Sequence, residues 1–489
     1  MMNGQSNNDL LGGIIFLVGF AMLGSFLLTF TRKHYQTRFE QVKLFLCALG
    51  VRFAASVVVY ELGLVKVLGD EDASGWSYGA FLADGWNRRG LGLLSLPEMW
   101  AETYEKHQMG FHYLAGLFSF VTGFSARLPI AAMNCFFGAL TVTLIYRTAI
   151  LLFSRWTAVR AGWMACFFPS LIIWSAQTLK EPVVIFLESL ALYACVNLKI
   201  EGFSVKYILI CLTAIVLLPP FRFYAAYLTA LVAILALALP RLSKGKSSVH
   251  SGLIVASLIG ALVVSSGYLA RNEASVERFT QLKEVARFKS NVAKGYGSGV
   301  ENKYDLNTAS GLSMAFAVGG AHLLLAPFPW QLGGGSLRML LTTPEMVVWW
   351  WLVLVGLIPG LWHICKTRLA DAQPMLFFIL GLGLLYSMMF GNVGLIFRQR
   401  AQLLPWLLII AVFGMEQRAI RKAIKRGVQG ARAAFLQMTL PQRHGGSGGQ
   451  RDSGTSISPS LCPPVSPSLF LCVSVSLLLL KVWGCASCF

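Results

Sequence analysis

The sequence predicts an all-α polytopic membrane protein with about eleven transmembrane helices, in a range of about 10–13, and with juxtamembrane helices in its first external loop. Three observations lead there. Of 489 residues, 56% are hydrophobic and only 13% are charged, and the mean hydropathy is +0.63; a soluble domain carries about 25% charged residues. Apolar runs near the roughly 20 residues needed to cross a bilayer recur along the whole chain. Between them, short Lys/Arg-rich connections alternate with mixed or acidic ones, the pattern that places basic connections in the cytoplasm.

The net charge of +19 suits this topology, because Lys and Arg collect in cytoplasmic loops and at lipid headgroups. No nucleic-acid-binding motif accompanies the charge, so the expected environment is the bilayer rather than DNA or RNA. Ten cysteines are present. Cys47, Cys135, Cys166, Cys195, Cys211 and Cys365 sit in apolar runs and read as small hydrophobes. None has metal-ligand spacing.

The first span covers 10–30. It has no basic segment before it and no small-x-small cleavage site after it, so it reads as a retained span rather than a signal peptide. Arg32, Lys33, Arg38 and Lys43 follow on the cytoplasmic side. The second span, 44–65, carries the chain outward. From 70 to 128 the chain is mixed, with Trp76, Tyr78, Trp86, Trp100, Tyr104 and Tyr113 among charges, a composition that favours helices lying along the membrane surface. Within it, 110–124 is apolar but too short to span, and reads as a juxtamembrane helix.

Spans at 129–153, 158–176 and 182–198 follow, the first opened by Pro129 at a helix start. Arg155, Arg160 and Lys199 fall inside; Lys180 and Glu181 fall outside. The sixth span, 207–218, ends at Pro219-Pro220. The seventh is 223–239 and the eighth 249–269. A second external loop covers 270–311. The segment 311–327 ends in APFPWQLGGG and reads as a surface helix, a re-entrant piece or a span. Thr343-Pro344-Glu345 is a helix-start signal opening the span 343–365, and spans at 374–390 and 403–415 complete a core of residues 1–440. The N-terminus is then external. Residues 441–489 are a low-complexity tail, read as disordered, as a weak anchor or as a non-native end, and set aside from the functional reading.

The stretch that draws attention chemically is Asp70-Glu71-Asp72, at the exit of the second span. Crowded carboxylates raise one another's pKa or share a cation. Asp70 and Asp72, with Glu71 between them, are candidates for a general base, or Asp70 and Asp72 for ligands of a divalent cation; the alternative is a solvated loop start. Cations expected on the same side are Arg88, Arg89, Lys106, Lys180, Arg222, Arg398 and Arg400, with Glu181 beside Lys180. Each has a plain alternative as a lipid anchor. Arg222, Arg398 and Arg400 stand apart, because the positive-inside rule expects few cations in short external loops. Four charges fall within spans, at about 2.5–3.5 kcal/mol each on insertion scales. Of these, Arg147 reads as a snorkelling residue, Glu188 as a residue that could line a site, and Arg52 and Glu61 as packing supports. His107 and His112 are five apart, so they do not share a helix face as an i,i+4 pair would. Gly333-Gly334-Gly335 lacks a preceding strand and a phosphate-loop Lys-Ser/Thr and reads as a flexible loop.

The stretch from Arg127-Leu128-Pro129 through Tyr146, Arg155 to Ala158 and Pro169-Ser170 resembles the C-type superfamily of membrane glycosyltransferases. It is similar in particular to the family 39-like group of protein O-mannosyltransferases and lipid A aminoarabinose transferases. An acidic pair in the first external loop followed by an aromatic-rich surface helix is part of that pattern, as is an Arg-then-Pro opening of a late span, here RQRAQLLPWLLII. The resemblance implies an enzyme at the plasma (cell inner) membrane with its site on the external or periplasmic face. It implies a polyprenyl-phosphate-linked sugar as donor and a hydroxyl on a lipid, glycan or protein as acceptor. Asp70 or Asp72 would then serve as base and the cations would hold the leaving phosphate. Two rivals are weighed beside it. A lipid-linked oligosaccharide polymerase or ligase would rest on Arg271, Arg278, Lys283 and Arg287. A transporter or flippase would show repeated halves, and no repeat is evident.

Overall fold

The computed structural model describes residues 2–29, 37–68, 75–104, 108–239, 257, 308–330, 337–389 and 393–425. The chain divides into two units, Met1–Pro441 and Gln442–Phe489. The second lies outside the described residues, as do the eighth expected span apart from residue 257, nearly all of the second external loop and the Gly333-Gly334-Gly335 stretch.

Every regular element among the described residues is helical. In order they are α1 (Met2–Thr29), α2 (Arg38–Glu61), α3 (Val65–Leu68), α4 (Gly75–Arg88), α5 (Leu96–Ala101), α6 (Gly110–Thr122), α7 (Arg127–Leu152), α8 (Arg155–Phe167), α9 (Pro169–Ser175), α10 (Glu181–Glu201), α11 (Val205–Leu217) and α12 (Phe223–Ala238). Then come α13 (Ala309–Leu325), α14 (Leu337–Leu352), α15 (Ile358–Thr367), α16 (Leu369–Met389), α17 (Val393–Arg400) and α18 (Leu404–Lys425). Six helices are long and apolar enough to cross a bilayer, or eight if two bent pairs each count as one span. The expected count of about eleven is not reached among the described residues. The sixth and seventh expected spans are α11 and α12, helices of 13 and 16 residues, short of the roughly 20 that cross a bilayer.

The core is built on α7, which packs against α1, α2, α8 and α10. Its best apolar window is 89% buried, against 17% for α1. The sequences explain the difference. α7 carries Asn134, Thr141, Thr143 and Thr148, all buried, which only a protein-lined environment satisfies. α1 presents Leu11, Ile14, Val18, Met22 and Phe26 on its exposed face and suits lipid. Between α3 and α7, α4 packs on α6 through small residues, Gly79 lying against Ala115 and Gly116.

Two helices break, each for a readable reason. Pro169 has no N–H and clashes with the preceding turn, so the chain bends by 54° between α8 and α9. The break leaves the carbonyls at the end of α8 without their usual partners. Arg52, within α2, supplies them: its Nη1 donates to Cys166 O (3.1 Å) and its Nη2 to Ala165 O (3.1 Å). That accounts for a guanidinium in the middle of a span. α17 and α18 meet at 67° across Ala401–Leu403, just before Pro405.

Ion pairs and caps sort the helix ends into two sets. At one end Glu40 accepts from Tyr146 Oη (2.7 Å) and pairs with Arg155, and Glu416 accepts from Ser154 and Thr157 (2.5 Å each). Arg368 donates there to Leu152 O (3.0 Å). Arg147 is buried and donates to Gln41 Oε1 (2.7 Å), which corrects its reading as a snorkelling residue. At the other end Asp9 accepts from Leu128 N (2.8 Å) and Arg127 Nε (3.2 Å), capping α7. Among the described residues, Arg155 and Arg368 of the basic connections fall at the first end.

α18 crosses the π-helical turn Val353–Leu357 and α15 at close range. Gly356 and Gly360, four apart, let the backbones touch, the small-xxx-small arrangement of membrane helices. A Cβ at Gly356 would fall on the Ala411 carbonyl. Gly356→Ala should therefore lower the thermal midpoint of the detergent-solubilised protein, with an overpacking cost of about 1–3 kcal/mol. Gly50→Ala, where a Cβ meets nothing within 4 Å, should leave it unchanged or raise it.

Candidate functional site

Three of the charged residues singled out in the sequence meet in one buried cluster. Glu181 is the first residue of α10, Arg222 caps the start of α12 after the Pro219–Pro220 turn, and Arg398 lies on α17. The Glu181 carboxylate is fully buried. Its Oε1 accepts from Arg222 Nη2 (2.7 Å) and from Arg398 Nε (2.9 Å), and its Oε2 accepts from Arg398 Nη2 (2.9 Å). Arg398 thus binds with the two-pronged geometry typical of guanidinium and carboxylate. The three side chains carry one more positive charge than negative, inside the protein.

Neutral groups hold the two guanidiniums from the other side. Arg222 Nη1 donates to Tyr386 Oη (3.2 Å) and to Gln399 Oε1. Arg398 stands 6.0 Å over the Trp174 ring. Burial works against the Arg222 charge, but Tyr224, Tyr386, Glu181 and Glu188 around it raise its pKa above the ordinary arginine value. About two turns further along α10, Glu188 is also buried. Gln402, with its amide nitrogen toward Glu188, donates to Oε1 (2.9 Å), and its oxygen accepts from Tyr386 Oη (2.8 Å). Glu188 Oε2 has no partner among the described residues. Glu188 therefore joins the same polar network and does not stand apart from it.

The segment leading into Glu181 is non-helical and firmly held. Asn134 Nδ2 donates to the carbonyls of Gln177 (2.7 Å) and Leu179 (2.8 Å), and Thr178 N donates to Tyr60 Oη (3.0 Å). Lys180 Nζ donates to Gln108 Oε1 (3.2 Å) at the rim. Gly75, the first described residue after the acidic stretch, packs here too: a Cβ on it would stand 3.0 Å from Thr178 O.

The other expected cations are placed differently. Arg400 is buried, but it points to the end of α13, donating to Ala326 O (2.9 Å) and Met346 Sδ (3.1 Å) and lying 4.6 Å over the Phe397 ring. It completes the carbonyls of a helix end and does not join the Glu181 cluster. Arg88 pairs with Asp84 (2.6 Å) and Arg89 with Glu102 (3.3 Å), all on exposed surface; neither joins the cluster. His112 packs edge-on against Tyr78. Asp70, Glu71, Asp72, Lys106 and His107 lie outside the described residues. Among the described residues there is no group of three or more His, Cys, Asp or Glu side chains placed to hold a metal ion.

Sequence reading missed Tyr386, Gln399 and Gln402. A tyrosine in an apolar run gives no signal. The two glutamines stood inside RQRAQ, where four polar side chains in five positions at the opening of a span were the available sign. It also read Glu345 only as a helix-start residue; Glu345 is buried and accepts from Ser170 Oγ just after the Pro169 break.

The chain matches no protein-family model and no curated protein. What it does must be argued from the cluster itself.

Proposed function

We propose that this protein is a membrane transferase that moves a sugar from a polyprenyl-phosphate donor to an acceptor hydroxyl. The observation that carries the reading is the buried pair of guanidiniums, Arg222 and Arg398, held with one carboxylate at the end opposite the basic connections. Two guanidiniums fixed side by side offer the fork geometry that a phosphate matches. Polyprenyl-phosphate sugars offer an anion at headgroup depth. The positive-inside rule would make the basic end cytoplasmic and the cluster end external.

The chemistry fits that arrangement. The acceptor oxygen forms a bond to the anomeric carbon while the bond from that carbon to the phosphate oxygen breaks. The hydroxyl proton passes to a carboxylate, for which Asp70 and Asp72 are the candidates. The donor phosphate is a diester with one negative charge, and it leaves as a monoester with a second charge developing. Two fixed guanidiniums therefore interact more strongly with the departing group than with the donor, which is what accelerates a step rather than merely tightening binding. Tyr386, Gln399 and Trp174 keep each member oriented.

The test is transfer by purified protein from a polyprenyl-phosphate sugar. Arg398→Gln should lower kcat by about 10²–10³-fold, the usual cost of losing one charge-stabilising donor, with a smaller change in KM. A second reading draws on the 67° break at Arg400–Leu404, since transporters place substrates at broken helices. On that reading Arg398→Gln would reduce flux of a lipid-linked anion across proteoliposomes while no sugar was transferred by the unaltered protein.

A further inference from the structure

We propose that Glu181 is an internal stand-in for the phosphate, holding Arg222 and Arg398 until a phosphate-bearing polyprenyl headgroup displaces it. This rests on the phosphate reading of the cluster and adds its regulation.

Four observations carry it. First, Glu181 uses both oxygens on the two guanidiniums, one of them shared. Carboxylate and phosphate match the same guanidinium fork, so the two anions compete for one set of donors. Second, neither arginine depends on Glu181 alone for its place. Arg222 keeps Tyr386 and Gln399, and Arg398 keeps its position over Trp174. The cations stay preorganised when the carboxylate leaves. Third, the backbone before Glu181 is tied to Asn134 and Tyr60, and Pro182 follows it. Displacement then needs a rotation of one side chain, not a shift of α10. Fourth, a leaving phosphate monoester carries up to two negative charges where the carboxylate carries one, so it compensates both guanidiniums. Ejection of Glu181 would thus accompany charge development on the leaving group, and its return would help expel the product.

A carboxylate that only positioned the arginines would act in the opposite sense, and that separates the two ideas. The experiment measures binding of undecaprenyl phosphate to the full-length protein in nanodiscs, with undecaprenol and inorganic phosphate as parallel arms. If Glu181 competes, Glu181→Gln binds undecaprenyl phosphate about tenfold or more tightly than the unaltered protein, a coupling of ordinary size. Glu181→Asp, one methylene shorter and unable to reach both arginines as well, tightens it by less. Undecaprenol binding does not change. Unaltered or weaker binding by Glu181→Gln overturns the proposal. If that variant does not insert, Glu181→Asp decides: no tightening there overturns it equally. A gain seen with inorganic phosphate and not with the lipid overturns the lipid assignment. The parent reading fails separately, if Arg222→Gln and Arg398→Gln bind undecaprenyl phosphate as well as the unaltered protein does.

Discussion

Glu181→Ala is expected to destabilise the folded protein by about 3–5 kcal/mol, the usual cost of stripping one partner from a buried ion pair. The cause is the charge left behind: Arg222 and Arg398, both buried, would face each other with no anion between them. Thermal unfolding in detergent reads the effect. Two controls give it meaning. Glu181→Ala combined with Arg398→Met should recover part of the loss, because removing one cation relieves the repulsion, and this non-additivity is the signature of a direct coupling. Arg89→Gln removes an exposed pair with Glu102 and should cost under about 1 kcal/mol. Strict additivity in the double variant would mean that packing rather than charge holds the three elements together there. Undecaprenyl phosphate should restore stability to a Glu181→Gln protein more than to the unaltered one, since a ligand stabilises in proportion to how far it exceeds its dissociation constant.

Asp70→Asn and Asp72→Asn are the second pair of large expected effects. Whichever carboxylate takes the acceptor proton should lose about 10²–10⁴-fold in transfer rate on conversion to the amide, while donor binding is kept. Glu71→Gln should do less. These residues lie outside the described ones; Gly75 packs against Thr178, three residues ahead of Glu181. Full activity in both variants would remove Asp70 and Asp72 from the mechanism and leave the arginine cluster without its proposed base.

Part of this architecture could be read from the chain and part could not, and the dividing line is physical. Long apolar spans such as α2, α7 and α10 announce themselves, because lipid demands a minimum run of apolar residues. α11 and α12 were recognisable as apolar, and α11 also as short, because Pro219-Pro220 stops it. Arg222 and Arg398 could be marked because they break the charge rule for their side. Their meeting at Glu181 could not be seen: the bond from Arg398 to Glu181 spans 217 positions and depends on how α10 and α17 pack. Arg52 shows the same limit. A mid-span guanidinium signals a partner, but its partners are backbone carbonyls more than 110 positions away, freed by a proline break. Arg398 and Arg400, two positions apart on one short helix, turn out to serve opposite neighbours, Glu181 and the end of α13. Spacing alone does not separate them.

The most direct measurement of the central claim is incubation of the purified full-length protein with a panel of radiolabelled polyprenyl-phosphate sugars and a membrane extract as acceptor source. The account predicts that one labelled sugar leaves its lipid with stoichiometric release of polyprenyl phosphate, and that Arg398→Gln, folded and inserted, slows the release by about 10²–10³-fold. Release that proceeds undiminished in both Arg222→Gln and Arg398→Gln would contradict it, as would no release from any donor while the unaltered protein moved the intact lipid across the bilayer.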